Sequence, residues 1–143
     1  MIIYNNERVI ILAILIPIMF FICILGFYKC IKHNKHYIKY DILSKNYNFT
    51  SIKILDNYLN GWGISHFILY FILAYIYPSE WIFILVCSIL WEILEYIVSF
   101  SVFNYECKYN IKYNNWWYAQ YEDIVMNILG ISLALLIRHF TKK

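Results

Sequence analysis

Ionisable and amide side chains interrupt three apolar stretches of this sequence, and their types suit a functional site. Six of them form pairs three or four positions apart: His66 and Tyr70, Glu92 and Glu95, and Asp123 and Asn127. Helical spacing of this kind places both members of a pair on one face of a helix. An imidazole, three carboxylates and a carboxamide are the groups used for general acid–base catalysis or for binding a divalent cation.

Acids within an apolar stretch need a partner that offsets their charge. A carboxylate near the centre of a bilayer costs about 2.5–3.5 kcal/mol on insertion scales, and Glu92 and Glu95 also repel each other one turn apart. The first interpretation is structural: a protonated acid forms a hydrogen bond across helices to His66, Tyr70 or Asn127, although such bonds contribute only about 0.6 kcal/mol on average.

A divalent cation is the second interpretation, in a shell formed by Glu92, Glu95, Asp123, His66 and Asn127. This oxygen-rich set suits calcium, magnesium or manganese, and zinc would fit if His66 were a direct ligand. A pathway for protons or ions through the same acids is the third interpretation. The residue types alone leave the three open.

Long apolar helices must position these side chains. Four apolar stretches are present, at residues 9–28, 58–77, 81–103 and 121–137. Twenty helical residues span about 30 Å, the thickness of the hydrocarbon core of a bilayer. The short link Pro78–Glu80 predicts that the second and third stretches form an antiparallel hairpin. The sequence therefore predicts an all-α fold, an integral membrane bundle of about four transmembrane helices.

The composition excludes a soluble globular domain. Hydrophobic residues make up 62 % of the 143 residues and charged residues only 15 %, whereas a soluble domain carries roughly 25 % charge. The 15 Tyr, 10 Phe and 5 Trp are typical of aromatic belts at the two membrane interfaces. The basic residues lie in loops, which favours membrane lipids with anionic headgroups as partners and argues against nucleic acid.

The basic residues also predict domain limits and orientation. Residues 1–57 form an N-terminal transmembrane helix plus a basic linker, and residues 58–143 form a three-helix core. Residues 29–57 and 104–120 would share one side of the membrane and carry eight lysines, against four basic residues on the other side. The positive-inside rule therefore places both segments in the cytoplasm.

Depth in the membrane favours a common site. His66 lies near the start of the second stretch, Glu92 and Glu95 lie toward the end of the third, and Asp123 and Asn127 begin the fourth. In the predicted topology all five lie in the leaflet next to the lysine-rich side. We therefore expect a polar pocket that opens toward that side, and a homo-oligomer is one way to enclose it.

Three motifs resemble those of VanZ-like membrane proteins. Residues 66–70 match their H-x-x-x-Y, residues 92–95 match their E-x-x-E, and residues 123–130 match their D-x-x-x-N-x-x-G, in the same order. The similarity covers about residues 60–136. It implies a lipid or lipid-linked substrate, with no settled reaction.

The chain is also similar, more weakly, to the base-exchange phosphatidylserine synthases, through W-E-x-x-E at 91–95 and W-W at 116–117. Their acidic E-C-W-W-D run is absent. This resemblance implies that His66 activates an amino alcohol and that Glu92, Glu95 and Asp123 hold calcium. The candidate catalytic residues are thus His66, Glu92, Glu95 and Asp123, and the candidate substrate-binding residues are Tyr70, Asn127 and Trp117.

A rival function is non-enzymatic. The aromatic-rich character of the chain also resembles membrane proteins of giant DNA viruses, and a scaffold or envelope protein would use the same polar residues only to fix helix packing. Such a protein would tolerate replacement of Glu92 by leucine, because apolar replacements of buried ionic groups are often neutral or stabilising.

Overall fold

The fold is all-α in a computed structural model that describes residues 3–33, 60–98 and 121–141. Four helices occupy these ranges: α1 (Ile3–His33), α2 (Gly61–Ile76), α3 (Trp81–Val98) and α4 (Tyr121–Thr141). A short 3-10 turn, Pro78–Glu80, joins α2 to α3 as the sequence predicted. The described ranges contain no strand, which confirms the predicted fold class.

Three of the helices are long and apolar enough to cross a membrane. The spans are Asn6–Leu25, Pro78–Val98 and Tyr121–Thr141, while α2 is a shorter apolar helix of 16 residues. At 1.5 Å per residue α2 is about 24 Å long. The chain is therefore an integral membrane protein built from transmembrane helices.

The first helix is longer than the apolar stretch that predicted it. It continues to His33, so residues 29–33 of the predicted basic linker are helical, and Pro17 lies inside it without ending it. Three predicted segments lie outside the described residues: the remainder of that linker, residues 99–103 of the third stretch, and the loop 104–120 with Trp117.

Local sequence fixes both ends of α2. Asn60 has extended backbone angles, and its side-chain Oδ1 accepts a hydrogen bond of 2.7 Å from the backbone N–H of Gly63. This is the N-cap arrangement that satisfies a free N–H group in the first turn. At the other end the N–H of Tyr77 donates to the carbonyl of Leu73, and Pro78 then prevents the helix from continuing.

The most extensive interface among the described helices joins α2 to α4. Gly130 permits this contact, because a Cβ atom at that position would lie 2.4 Å from the backbone oxygen of Phe67 and 3.1 Å from the backbone nitrogen of Phe71. Small residues allow membrane helices to approach in this way. The second helix thus packs more closely on α4 than on α3, its neighbour in the hairpin.

An apolar core lies between the four helices, and apolar side chains also cover the outside. Ile11 and Leu15 bring α1 into a cluster with Tyr70, Leu73 and residues of α3 and α4. Large hydrophobic residues such as Val9, Phe20 and Ile82 are about 60 % exposed. An outer surface of this kind suits lipid and would be unfavourable in water.

Candidate functional site

Three helices bring an imidazole and two carboxylates together. His66 of α2, Glu92 of α3 and Asp123 of α4 each offer one potential ligand atom, and these three atoms all lie within 4.8 Å of one another. The residues are separated by at least 26 positions in the chain, so only the packing of the helices makes them neighbours. Their shared depth in the membrane predicted that these side chains lie close together, and the structure places these three side chains close together.

The imidazole of His66 links the two sides of this group. Its Nδ1 lies 3.1 Å from Oδ1 of Asn127 and 3.5 Å from Oε1 of Glu92. Because the Asn127 oxygen can only accept, the hydrogen bond places a proton on Nδ1. The lone pair of the imidazole is then on Nε2, where it can accept a proton or bind a metal.

The polar atoms of the site are buried, and several have no hydrogen-bond partner among the described residues. Glu92 is 3 % exposed, Asp123 is 6 % exposed and Asn127 is fully buried. Four atoms of these side chains have no hydrogen-bond partner among the described residues: both carboxylate oxygens of Glu92, Oδ1 of Asp123 and Nδ2 of Asn127. Buried polar atoms without partners are costly, so these atoms need a proton, a hydrogen-bond partner or a cation that the described residues do not supply.

Close packing of α2 on α4 sets the positions of the polar residues. The N-cap at Asn60 begins α2 so that His66 falls in its second turn. The contact of Gly130 with the backbone at Phe67 places the first turns of α4, with Asp123 and Asn127, beside His66. Glu92 lies on the buried face of α3, which also carries Ser88 and Trp91.

The other predicted site residues take different positions. Glu95 is partly exposed, one turn beyond Glu92, and is not a member of the group of three ligand atoms. Tyr70 is only 1 % exposed, and its ring centroid lies 6.3 Å from that of His66. Trp117 lies outside the described residues. Of the three predicted metal ligands, two therefore lie in the group, and His66 takes the third position.

Glu122 was not among the predicted site residues, yet it is 9 % exposed beside Asp123 in the first turn of α4. The sequence did contain a signal for it, since an acid in the first turn of a helix is favoured by the helix dipole. Its burial adds another carboxyl group to an acidic region that has one imidazole.

These residues fit a divalent cation. With metal–oxygen distances of 2.3–2.6 Å, two ligands of one calcium ion lie at most about 4.6–5.2 Å apart. Three ligand atoms that all lie within 4.8 Å of one another can therefore share one ion. The unpartnered oxygens of Glu92 and Asp123 would supply ligands, and their charges would be neutralised. Calcium, magnesium and manganese prefer oxygen ligands, and His66 makes manganese or zinc suitable as well.

Comparison with protein-family models, with curated proteins and with solved structures finds no match to this chain.

Proposed function

We propose that this chain is a VanZ-like polytopic membrane protein that acts on a phospholipid or lipid-linked substrate through an intramembrane cation site. His66, Glu92 and Asp123 would hold the cation, and Asn127 would orient the imidazole. The observation that carries this proposal is that three separate helices bring one potential ligand atom each of His66, Glu92 and Asp123 within 4.8 Å of one another. Carboxylate oxygens of Glu92 and Asp123 are buried there without hydrogen-bond partners among the described residues.

A cation at this position would supply the charge that the site needs to receive a phosphate. The described site has acids and one imidazole, so an anionic headgroup would be repelled by the residues alone. A bound divalent cation attracts phosphate oxygens and stabilises charge that develops on them. Membrane lipids would be the substrate and the main partner.

The test combines metal content with headgroup exchange. Glu92→Gln and Asp123→Asn remove ligand charge with little change in shape, and Glu7→Gln, near the turn between α2 and α3, is the control. Purified proteins are equilibrated with calcium or manganese, washed, and analysed for bound metal. They are then incubated in phosphatidylcholine liposomes with labelled ethanolamine or serine.

We expect about one equivalent of metal and incorporation of label in the unaltered protein and in Glu7→Gln. Both signals should be lost in the two site variants. Metal and activity retained by both site variants would remove the enzymatic proposal. Metal binding without exchange would support the cation site but would exclude ethanolamine and serine as acceptors in the proposed reaction.

The orientation of the chain is a further part of the proposal. Eight lysines in residues 29–57 and 104–120 support a cytoplasmic position for both segments. A variant that retains Cys107 as its single cysteine tests this with a membrane-impermeant thiol reagent. Labelling in intact cells would contradict the proposed orientation, whereas labelling only after permeabilisation would support it.

A second candidate function is a non-enzymatic membrane scaffold, and one observation favours it. The hydrogen bond between His66 and Asn127 joins α2 to α4 one turn from the close contact at Gly130. The polar residues could therefore serve to fix the packing of these helices. Stability with and without added metal separates the two candidates, because a scaffold gains nothing from the cation.

A further inference from the structure

The end of the bundle remote from the acidic site carries two arginines in different surroundings. Arg8 of α1 donates through Nε to Oε2 of Glu80 at 2.7 Å, and its guanidinium carbon lies 5.4 Å from the ring centroid of Phe83. Arg138, in the last turn of α4, stacks similarly over Tyr75 at 5.5 Å. In the part of the chain that the structure describes, Arg8 thus contacts both an aromatic ring and a carboxylate, whereas Arg138 contacts an aromatic ring and no carboxylate.

Within the described ranges, Arg138 has no acceptor for a buried donor. Its Nε atom is buried and has no hydrogen-bond partner in ranges 3–33, 60–98 and 121–141. No salt bridge involves it there either. A buried charged donor without an acceptor is costly, and the planar fork of a guanidinium matches two oxygens of a phosphate. Arg138 is partly exposed and has no acceptor for Nε among the described residues, so its guanidinium can bind an anionic group.

A row of stacked aromatic rings leads along α2 to this arginine. Phe67 and Phe71 stack with ring centroids 6.2 Å apart, and Phe71 stacks on Tyr75 at 5.9 Å. The three residues are four positions apart, so the row extends over about 12 Å of the helix. None of the three rings is buried, and Tyr75 is 38 % exposed. The row is an apolar strip along the membrane with a cationic group at its end.

We propose that this surface binds an anionic phospholipid. The surface consists of the aromatic row of Phe67, Phe71 and Tyr75, with Arg138 at its end. The phosphate accepts hydrogen bonds from the guanidinium of Arg138, and an acyl chain lies along the rings. Arg138 is 15 residues from Asp123, which is about 22 Å along α4. The lipid would therefore lie in the leaflet opposite the acidic site, and the proposal does not depend on any activity of that site.

The experiment measures lipid binding to the purified full-length protein in detergent. Phosphatidylglycerol, phosphatidylcholine and inorganic phosphate are added separately at equal ionic strength, and bound molecules are counted by native mass spectrometry. The variants are Arg138→Gln, which removes the charge, and His139→Gln, an exposed neighbour on α4, as the matched control.

The unaltered protein and His139→Gln should bind phosphatidylglycerol in preference to phosphatidylcholine. Arg138→Gln should bind phosphatidylglycerol at least about tenfold more weakly, because hydrogen bonds to a charged group are lost. Arg138→Lys retains the charge without the fork and should fall between them, and it serves as the variant if Arg138→Gln does not fold.

Two results would overturn the proposal. One is equal affinity for phosphatidylglycerol in the unaltered protein and in both Arg138 variants. The other is displacement of the lipid by an equimolar amount of inorganic phosphate, because this would show that the arginine binds free phosphate and that the aromatic row contributes nothing.

Discussion

The imidazole of His66 donates a hydrogen bond of 3.1 Å to the side-chain oxygen of Asn127, across 61 positions of sequence. This bond determines which nitrogen of the ring carries the proton, and it ties the second turn of α2 to the second turn of α4. Partners of this kind orient a metal-binding histidine and raise its basicity. Asn127 is thus a positioning residue in the proposed cation site.

Asn127→Leu should weaken metal binding without removing a ligand. Loss of such an orienting partner lowers metal affinity by roughly 10–100-fold. Competition of the purified variant with a fluorescent calcium or manganese indicator measures the effect. Ser132→Ala, at an exposed position on the same helix, is the control and should retain full affinity. Unchanged affinity in Asn127→Leu would show that the bond serves helix packing alone.

Added metal should stabilise the protein, and Glu92 should be required for this effect. A ligand at 100 times its dissociation constant stabilises the folded state by about 2.7 kcal/mol, which thermal unfolding in detergent detects as a higher Tm. Glu92→Leu should show no response to metal. In chelator it should be as stable as the unaltered protein or more so, because a buried acid whose oxygens lack hydrogen-bond partners among the described residues has been removed. Identical behaviour of the unaltered protein with metal and with chelator would favour the scaffold function.

Glu95→Gln should affect metal binding less than Glu92→Gln does. Glu95 is partly exposed and lies outside the group of three ligand atoms, whereas Glu92 is 3 % exposed within it. We expect less than a tenfold loss of affinity for Glu95→Gln and more than a tenfold loss for Glu92→Gln, measured by the same indicator competition. A reversed order would restore Glu95 as a direct ligand, as the sequence predicted.

Gly130→Ala should separate α2 from α4. Its Cβ atom would lie 2.4 Å from the backbone oxygen of Phe67, and the backbone cannot move aside as a flexible side chain can. Overpacking of this type costs about 1–3 kcal/mol, and the shift should also weaken metal binding by displacing Asp123 from His66. Thermal unfolding with Ser132→Ala as the reference measures the first effect. Wild-type stability in Gly130→Ala would contradict the close contact.

Arg8→Gln should destabilise the attachment of α1 to the rest of the bundle. Glu80 is 2 % exposed, and its Oε1 has no hydrogen-bond partner in the described ranges, so loss of Arg8 leaves a buried charge unpaired. Breaking a fully buried pair costs about 3–5 kcal/mol, and the cost here should be smaller because Arg8 is 51 % exposed. The double variant Arg8→Gln, Glu80→Leu should recover most of the lost stability. A double variant less stable than the single one would contradict this account.

The sequence predicted the helices well because long apolar stretches have few alternatives in a bilayer, where every backbone N–H and C=O group must be paired internally. The boundaries were less predictable. The apolar stretch from residue 9 to residue 28 did not indicate that α1 continues to His33, since helix continuation through basic residues depends on local contacts and not on hydropathy.

The site was predicted in part for a similar reason. Spacing and depth correctly grouped His66, Glu92 and Asp123, but they could not rank Glu92 against Glu95, which are one turn apart on the same helix. That difference depends on the rotation of α3 about its axis relative to α2 and α4. The interaction of Arg8 with Glu80 was also not predicted, because it connects helices that are not neighbours in sequence.

The short second helix has a consequence for the surrounding bilayer. At about 24 Å, α2 is roughly 6 Å shorter than a hydrocarbon core of 30 Å. Such hydrophobic mismatch is relieved when the lipid layer thins locally around the helix. His66 lies only six residues from the N-cap of α2, so thinning there would bring headgroups and water toward the acidic cluster. Membrane thickness would then control access to these residues, and the protein would be sorted toward thinner membranes.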